Sequence, residues 1–249
     1  MRVQAFKTKK ITAGMSLEET ITQVLQKLEE KSIIAVTSKV VSITEGQIIT
    51  KDKALSKKDL IAQEAEYYLD VPSEYDICLT IRNNILIPTA GIDESNANNS
   101  YILYPDDVQA SAFRLWSFLK SHYNLRHVGV IITDSHTTPL RRGVIGLGLG
   151  WCGFQALRNY IGIPDIFGSP LRVTLSNLLD GYAAAAVVVM GEGQEQTPIA
   201  VIDQLQNVEF TDQAPSKAEL DQLLMSKEKD LYAPLLNSVS WTKGKRQSS

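Results

Sequence analysis

Cysteine is nearly absent from this chain: Cys78 and Cys152 are far apart and outside any Cys-x-x-Cys spacing. Such a pair makes neither a disulfide framework nor a zinc knuckle, and a reducing, cytoplasmic compartment is expected. Long apolar runs are missing as well. The longest, Tyr182 to Met190, falls far short of the ~20 residues that span a bilayer, and Met1 to Lys7 lack the apolar stretch of a signal peptide. There is no excess of positive charge. Lys and Arg number 25 against 28 Asp and Glu, a net charge of −3, which argues against broad nucleic-acid binding. No Gly-x-x-x-x-Gly-Lys stretch ending in Ser or Thr occurs, so a nucleotide triphosphate would not be held by a Walker-A loop.

What is present is the composition of an ordinary globular protein, 44% hydrophobic and 21% charged over 249 residues. Ser16 to Glu19 reads as a capping box, and Leu17, Ile21, Val24, Leu25 and Leu28 recur at helical spacing, predicting a helix over about 17–30. Ser32 to Thr37 reads as a buried strand ending in polar Ser38 and Lys39; a helix is expected over about 57–69. Ile77–Ile81 and Ile85–Ile87 flank Arg82-Asn83-Asn84, a hairpin pattern because asparagine tolerates positive φ. Asp106 or Asp107 can cap a helix through Leu119. Val128 to Thr133 is the cleanest buried strand. Trp151–Ile161 and Thr174–Met190 read as helices, the second stopped by Gly191. Pro198–Ile202 reads as a strand. Ser216 to Glu219 opens a last helix, and Lys243–Ser249 reads as a frayed tail. The irregular alternation favours a mixed α/β (α+β) fold, with a catalytic domain over 1–205 and a C-terminal helical extension with a polar tail over 206–249.

Three carboxylates lie where buried elements surface among small residues: Asp93 past a strand, Asp134 at the end of Val128–Thr133, and Glu192 past a helix in Met190-Gly-Glu-Gly193. Hard oxygen ligands of this kind suit Mg²⁺ or Mn²⁺ bridging to phosphates, although such residues more often just satisfy turn amides. Arg141 and Arg142 carry guanidinium forks matched to phosphate or carboxylate, against the plainer reading of two solvated arginines. His136 reads as structural, and His122 and His127 show no metal spacing. Gly148 to Gly153 matches the dinucleotide fingerprint, but no strand directly precedes it and no acidic residue follows at the required distance, so a nicotinamide or flavin dehydrogenase is disfavoured.

Taken in order, Thr37–Gly46, Ala90–Asn96, Val128–Asp134, Arg141–Val144 and Met190–Gly193 resemble the coenzyme F-420-0:L-glutamate ligase family, including relatives described as folate gamma-glutamate ligases. The resemblance spans about 1–205. It implies a GTP-dependent amide ligase with two divalent cations (Mg²⁺ or Mn²⁺), K⁺ as a further ion, and a homodimer of interlocked subunits. The substrates implied are GTP, L-glutamate and a small carboxylate acceptor, F-420-0 or folate. By position, Asp93 and Asp134 match ligands of one metal, and Ser135 (usually threonine) and Glu192 ligands of the second. Ser38, Lys39 and Asn96 match nucleotide contacts, and Met190, Gly191, Gly193, Gln194 and Thr197 belong to the segment wrapping the nucleotide. Two departures stand out. Ile43 replaces a lysine common in F-420 members, with Lys39 four residues earlier as a substitute charge, and Ile11–Gly14 match poorly. Ile43 motivates the alternative of a non-catalytic nucleotide-binding module.

Overall fold

Ser32–Thr37 is apolar at its four central positions, Ile33 to Val36, and that pattern suits a strand covered on both faces. In the computed structural model, which describes residues 1–51, 55–71 and 77–246, it is such a strand. In chain order the first elements are β1 (Arg2–Phe6), α1 (Leu17–Val24), β2 (Ser32–Thr37), α2 (Ser38–Thr44), β3 (Ile48–Thr50), α3 (Lys57–Glu64), β4 (Tyr67–Tyr68), β5 (Leu79–Arg82) and β6 (Ile85–Pro88). There follow β7 (Ser100–Ile102), α4 (Val108–His122), β8 (Val128–Thr137), β9 (Val144–Cys152), β10 (Leu157–Asn159), β11 (Leu175–Asn177) and α5 (Leu178–Met190). The chain closes with β12 (Ile199–Asp203), α6 (Lys217–Leu223), α7 (Ala233–Leu236) and β13 (Thr242–Lys243). This is the mixed α/β architecture expected.

The central sheet runs β1-β12-β2-β8-β9, with β2 and β8 parallel and the other pairs antiparallel. Alternate side chains of β2 leave by opposite faces. Ile34 and Val36 pack with α1, α2 and α4, whereas Ile33 and Ala35 pack with α5. All four are fully buried. A second sheet, β13-β4-β5-β6, and a small β3-β7 ribbon form a flank beside the end of β8. No helix among the described residues is long and apolar enough to cross a membrane.

Several expectations hold. Asn83 and Asn84 have φ of 52° and 56° and form the β5–β6 turn. Asp107 caps α4 by accepting the Ala110 N–H, and Ser216 and Glu219 make the full capping box on α6. Others are corrected. The helix expected over about 17–30 stops at Val24, where the Tyr123 hydroxyl donates to the Leu25 carbonyl that a further turn would use. The helix from Lys57 stops at Glu64 because Tyr67 and Tyr68 pair with β5. The strand Ser32–Thr37 stops before Ser38 as expected, but Ser38 and Lys39 open a helix, α2, that was not foreseen, with Val40, Val41 and Ile43 buried. Before α5, Leu175–Asn177 form β11, and Asn177 caps the helix.

Trp151–Ile161 is not a helix. It contains the end of β9, a break at Gly153 (φ 84°) and β10. The overlooked signal is the period-two run Gly146, Gly148, Gly150: the first two lie on the face of β9 that meets α5, and the bulge at Leu149 puts Gly150 on the face that meets α4. A methyl at these positions would collide with Ala183, Leu179 and Val108, so the glycines let α5 and α4 lie against the strand. Gly148 and Gly150 therefore serve helix packing within a strand, not a dinucleotide turn. The expected frayed end is ordered as far as described: β13 pairs with β4, the Gly244 N–H donates to Glu66 O, and Arg246 donates to Asp106 O. Residues 247–249 lie outside the described residues. Cys78 and Cys152 are both free.

Candidate active site

The parallel pairing of β2 with β8 stops at Thr37 opposite Thr133: there the chain turns from β2 into α2, while β8 runs on to Thr137 paired with β9 alone, so Asp134 and Ser135 lie within the strand and not past its end as expected. Such a divergence opens a crevice at the carboxyl ends of strands. Here it is a cleft of about 570 Å³, walled by residues 8–11, the start of α2, the segment 93–98, the end of β8 and the turn 190–198. That volume suits a nucleotide-sized ligand.

Of the residues singled out in the sequence, Asp93, Asp134, Ser135, Glu192, Lys39, Asn96, Met190, Gly191, Gly193, Gln194 and Thr197 line this one cleft. Ser38 does not line it but is buried at the first turn of α2, between the lining residues Thr37 and Lys39. Arg141 and Arg142 sit exposed on the β8–β9 turn, outside the lining.

Each carboxylate is delivered differently. Asp134 follows a shift in the β8–β9 register between Ile132 and Thr133, where Leu149 is bulged out. A bulge re-aims the side chains beyond it, and Asp134 turns into the cleft. Burial pushes its carboxyl up to about 6, opposed by the donated Tyr104 hydroxyl and the Ser135 amide. Asp93 raises it further and Lys39 draws it down, which places those two charges close by. Asp93 is fixed by reciprocal backbone bonds with Ile102 and accepts the Ser95 N–H at Oδ1 (2.6 Å), while Lys39 Nζ lies 2.7 Å from its Oδ2. Beyond α5, Gly191 turns the chain at φ 77°, and Ser135 donates its hydroxyl to Glu192 Oε2 at 3.1 Å. Asn96 Nδ2 reaches the Gly193 carbonyl at 3.4 Å and ties the two walls together.

The oxygen donors thus form two neighbouring pairs, Asp93 with Asp134 and Ser135 with Glu192. Among the described residues no three His, Cys, Asp or Glu side chains are assembled to hold an ion by themselves. Hard-oxygen pairs fit a small divalent cation that takes its remaining oxygens from water and substrate phosphates, as Mg²⁺ commonly does. Ile43 also lines the cleft, one turn after Lys39 on α2, so Lys39 supplies the cation on that helix face.

Sequence reasoning missed Tyr104, whose phenol is fully engaged behind Asp134 and carries no motif. It also missed Thr8, Lys9 and Lys10, which line the mouth after β1, and Glu195, which accepts the Gly193 N–H at 2.8 Å. The Lys9-Lys10 doublet was visible as charge but had nothing to distinguish it from a solvated surface.

Residues 5–204 match the F420-0:Gamma-glutamyl ligase family. A Methanopyrus kandleri protein named Coenzyme F420:L-glutamate ligase is 32% identical over 241 residues, covering 90% of this chain and 94% of its own. Proteins of the same name from Archaeoglobus fulgidus (30% over 249 residues; 93% and 96%) and Methanocaldococcus jannaschii (30% over 204; 76% and 80%) are similar as well.

Proposed function

Because the chain belongs to the F420-0:Gamma-glutamyl ligase family, we propose that it is a metal-dependent, GTP-driven ligase joining L-glutamate to the carboxylate of coenzyme F420-0 or a similar acceptor. The observation that carries this reading is the convergence of Asp93, Asp134, Ser135 and Glu192, from segments remote in sequence, on one cleft beside Lys39.

In this reading Asp93 and Asp134 hold one divalent cation, Mg²⁺ or Mn²⁺, and Ser135 and Glu192 the other. Bound there, the ions neutralise charge on the transferring phosphoryl group. Lys39, Lys9 and Lys10 bind the triphosphate, and the turn from Met190 to Thr197 with Asn96 closes over the nucleotide. That turn is held in shape by the Thr197 hydroxyl donating to Met190 O and by Glu195. The acceptor carboxylate attacks the γ-phosphorus, and the bond to GDP breaks to leave an acyl phosphate. The glutamate amine then attacks the acyl carbon, expelling phosphate and losing its proton to solvent as the amide forms. The chain's task is mostly positioning. Arg141 and Arg142 remain available for a substrate carboxylate.

A second copy of the chain is the proposed partner. Ile166, Phe167 and Val173 are 92%, 87% and 83% exposed on the segment joining β10 to β11, an apolar surface that calls for cover.

Mass analysis of products after incubation with GTP or ATP, Mn²⁺, glutamate and either F420-0 or folate tests the reading. Addition of one glutamyl residue to F420-0, driven by GTP, is expected; addition to folate alone would reassign the acceptor. Metal-dependent nucleotide binding with no acceptor-dependent phosphate release from any combination would refute ligation and leave a nucleotide-binding module.

A further inference from the structure

Arg82, on β5, has no exposed side-chain surface. Burying a guanidinium is expensive, and desolvation lowers its pKa to about 10, which leaves it charged at neutral pH. Its Nη1 donates to Ala90 O at 3.1 Å and pairs with Glu64 Oε2 at 2.9 Å, yet Nε and Nη2 have no hydrogen-bond partner among the described residues. An aliphatic side chain would fill this space at lower cost, so the contacts with the Ala90 turn and with Tyr104 are the informative feature.

The first contact is the turn that delivers Asp93. Thr89, Ala90 and Gly91 have φ of 50°, 54° and 72°, a left-handed turn that costs about 1–2 kcal/mol for each residue bearing a Cβ. Ala90 is held at both polar groups, its N–H by Thr80 Oγ1 at 2.8 Å and its carbonyl by Arg82. The second contact is Tyr104. The guanidinium carbon lies 5.0 Å from the ring centroid, and the Tyr104 hydroxyl donates to Asp134 Oδ2. Gly91 packs against the same ring with no room for a Cβ. One buried cation therefore touches both supports, one behind Asp93 and one behind Asp134.

We infer that Arg82 is a positioning residue that sets the separation of the Asp93 and Asp134 carboxylates through Ala90 and Tyr104; this rests on the divalent-cation reading above. Glu64 secures it from behind and is itself bonded by Arg246 at 3.1 Å, so the C-terminal segment, which lies beyond the family match, joins the same support.

The test is Mn²⁺ binding to the full chain without nucleotide or acceptor, read from the electron paramagnetic resonance of free Mn²⁺. Arg82→Met keeps the volume and leaves Glu64 paired with Arg246. It is expected to weaken Mn²⁺ binding roughly tenfold or more while circular dichroism stays native. Arg82→Lys keeps the buried charge but not the flat face on Tyr104, and should lose less. If Arg82→Met does not fold, Arg82→Lys and Tyr104→Phe carry the test, and both must weaken binding. Folded variants that bind Mn²⁺ as the wild type does, however much stability they have lost, overturn the positioning role. A wild-type chain that binds no Mn²⁺ overturns the metal reading, and this inference with it.

Discussion

Replacing Lys39 by Met should move two affinities in opposite directions. Lys39 Nζ lies 2.7 Å from Asp93 Oδ2 and donates to Ser95 Oγ at 2.7 Å, so it occupies an oxygen that a cation would use. The two side chains are 25% and 38% exposed, so solvent screens the pair and holds its contribution to about 1 kcal/mol or less. An ion arriving at Asp93 must displace the ammonium at that cost. Lys39→Met removes the cost, and Mn²⁺ affinity without nucleotide should rise by up to about fivefold. With GTP present the displaced ammonium has phosphate oxygens within its reach, where a charged hydrogen bond contributes about 1.5–3 kcal/mol. The same variant should therefore bind GTP roughly ten- to a hundredfold more weakly. Titrations followed by Mn²⁺ resonance and by calorimetry with GTP read the two quantities separately. If both affinities fall together, or neither moves, Lys39 does not stand between Asp93 and the phosphates.

Asp134→Asn should abolish acceptor-dependent phosphate release yet preserve or raise metal-free stability, checked by denaturant melts. The sign follows from burial. The folded carboxyl sits at about 6 against an ordinary 3.8, so between those values the folded state binds more protons and stability falls as pH rises. The full cost, at most about 3 kcal/mol, is present above pH 6 and should vanish in the variant. Gly91→Ala puts a methyl into the Tyr104 ring at a positive φ and should destabilise the chain by about 2 kcal/mol or more in urea unfolding, with Mn²⁺ binding lost alongside. Phe167→Asp combined with Ile166→Asp should convert a dimer to a monomer in sedimentation; an unchanged mass would remove the β10–β11 segment from the interface.

Much of the architecture was legible wherever its cause is local. Apolar runs marked β2 and β8, Asn83-Asn84 marked a hairpin, and Ser16, Asp107 and Ser216 marked helix starts, because period and capping are set within a few neighbouring residues. Where distant contacts compete with local preference, the reading failed. The Tyr123 hydroxyl ends α1 early, glycines chosen for helix contact disguise β9, and pairing with β4 orders a polar terminus that composition alone makes look frayed.

The amino-acid sequence by itself determined the kinds of group at the site: carboxylates and a serine hydroxyl next to buried apolar runs, and a lysine four residues before Ile43. Which of them meet was decided by the tertiary structure, since Asp93, Asp134 and Glu192 come together only once the flank holding β6 and β7, the central sheet and the end of α5 have closed on one another. Tyr104 and Arg82 show the reason most plainly. A buried phenol and a buried guanidinium have no periodicity, spacing or motif of their own, and their roles exist only in the contacts they make across the fold.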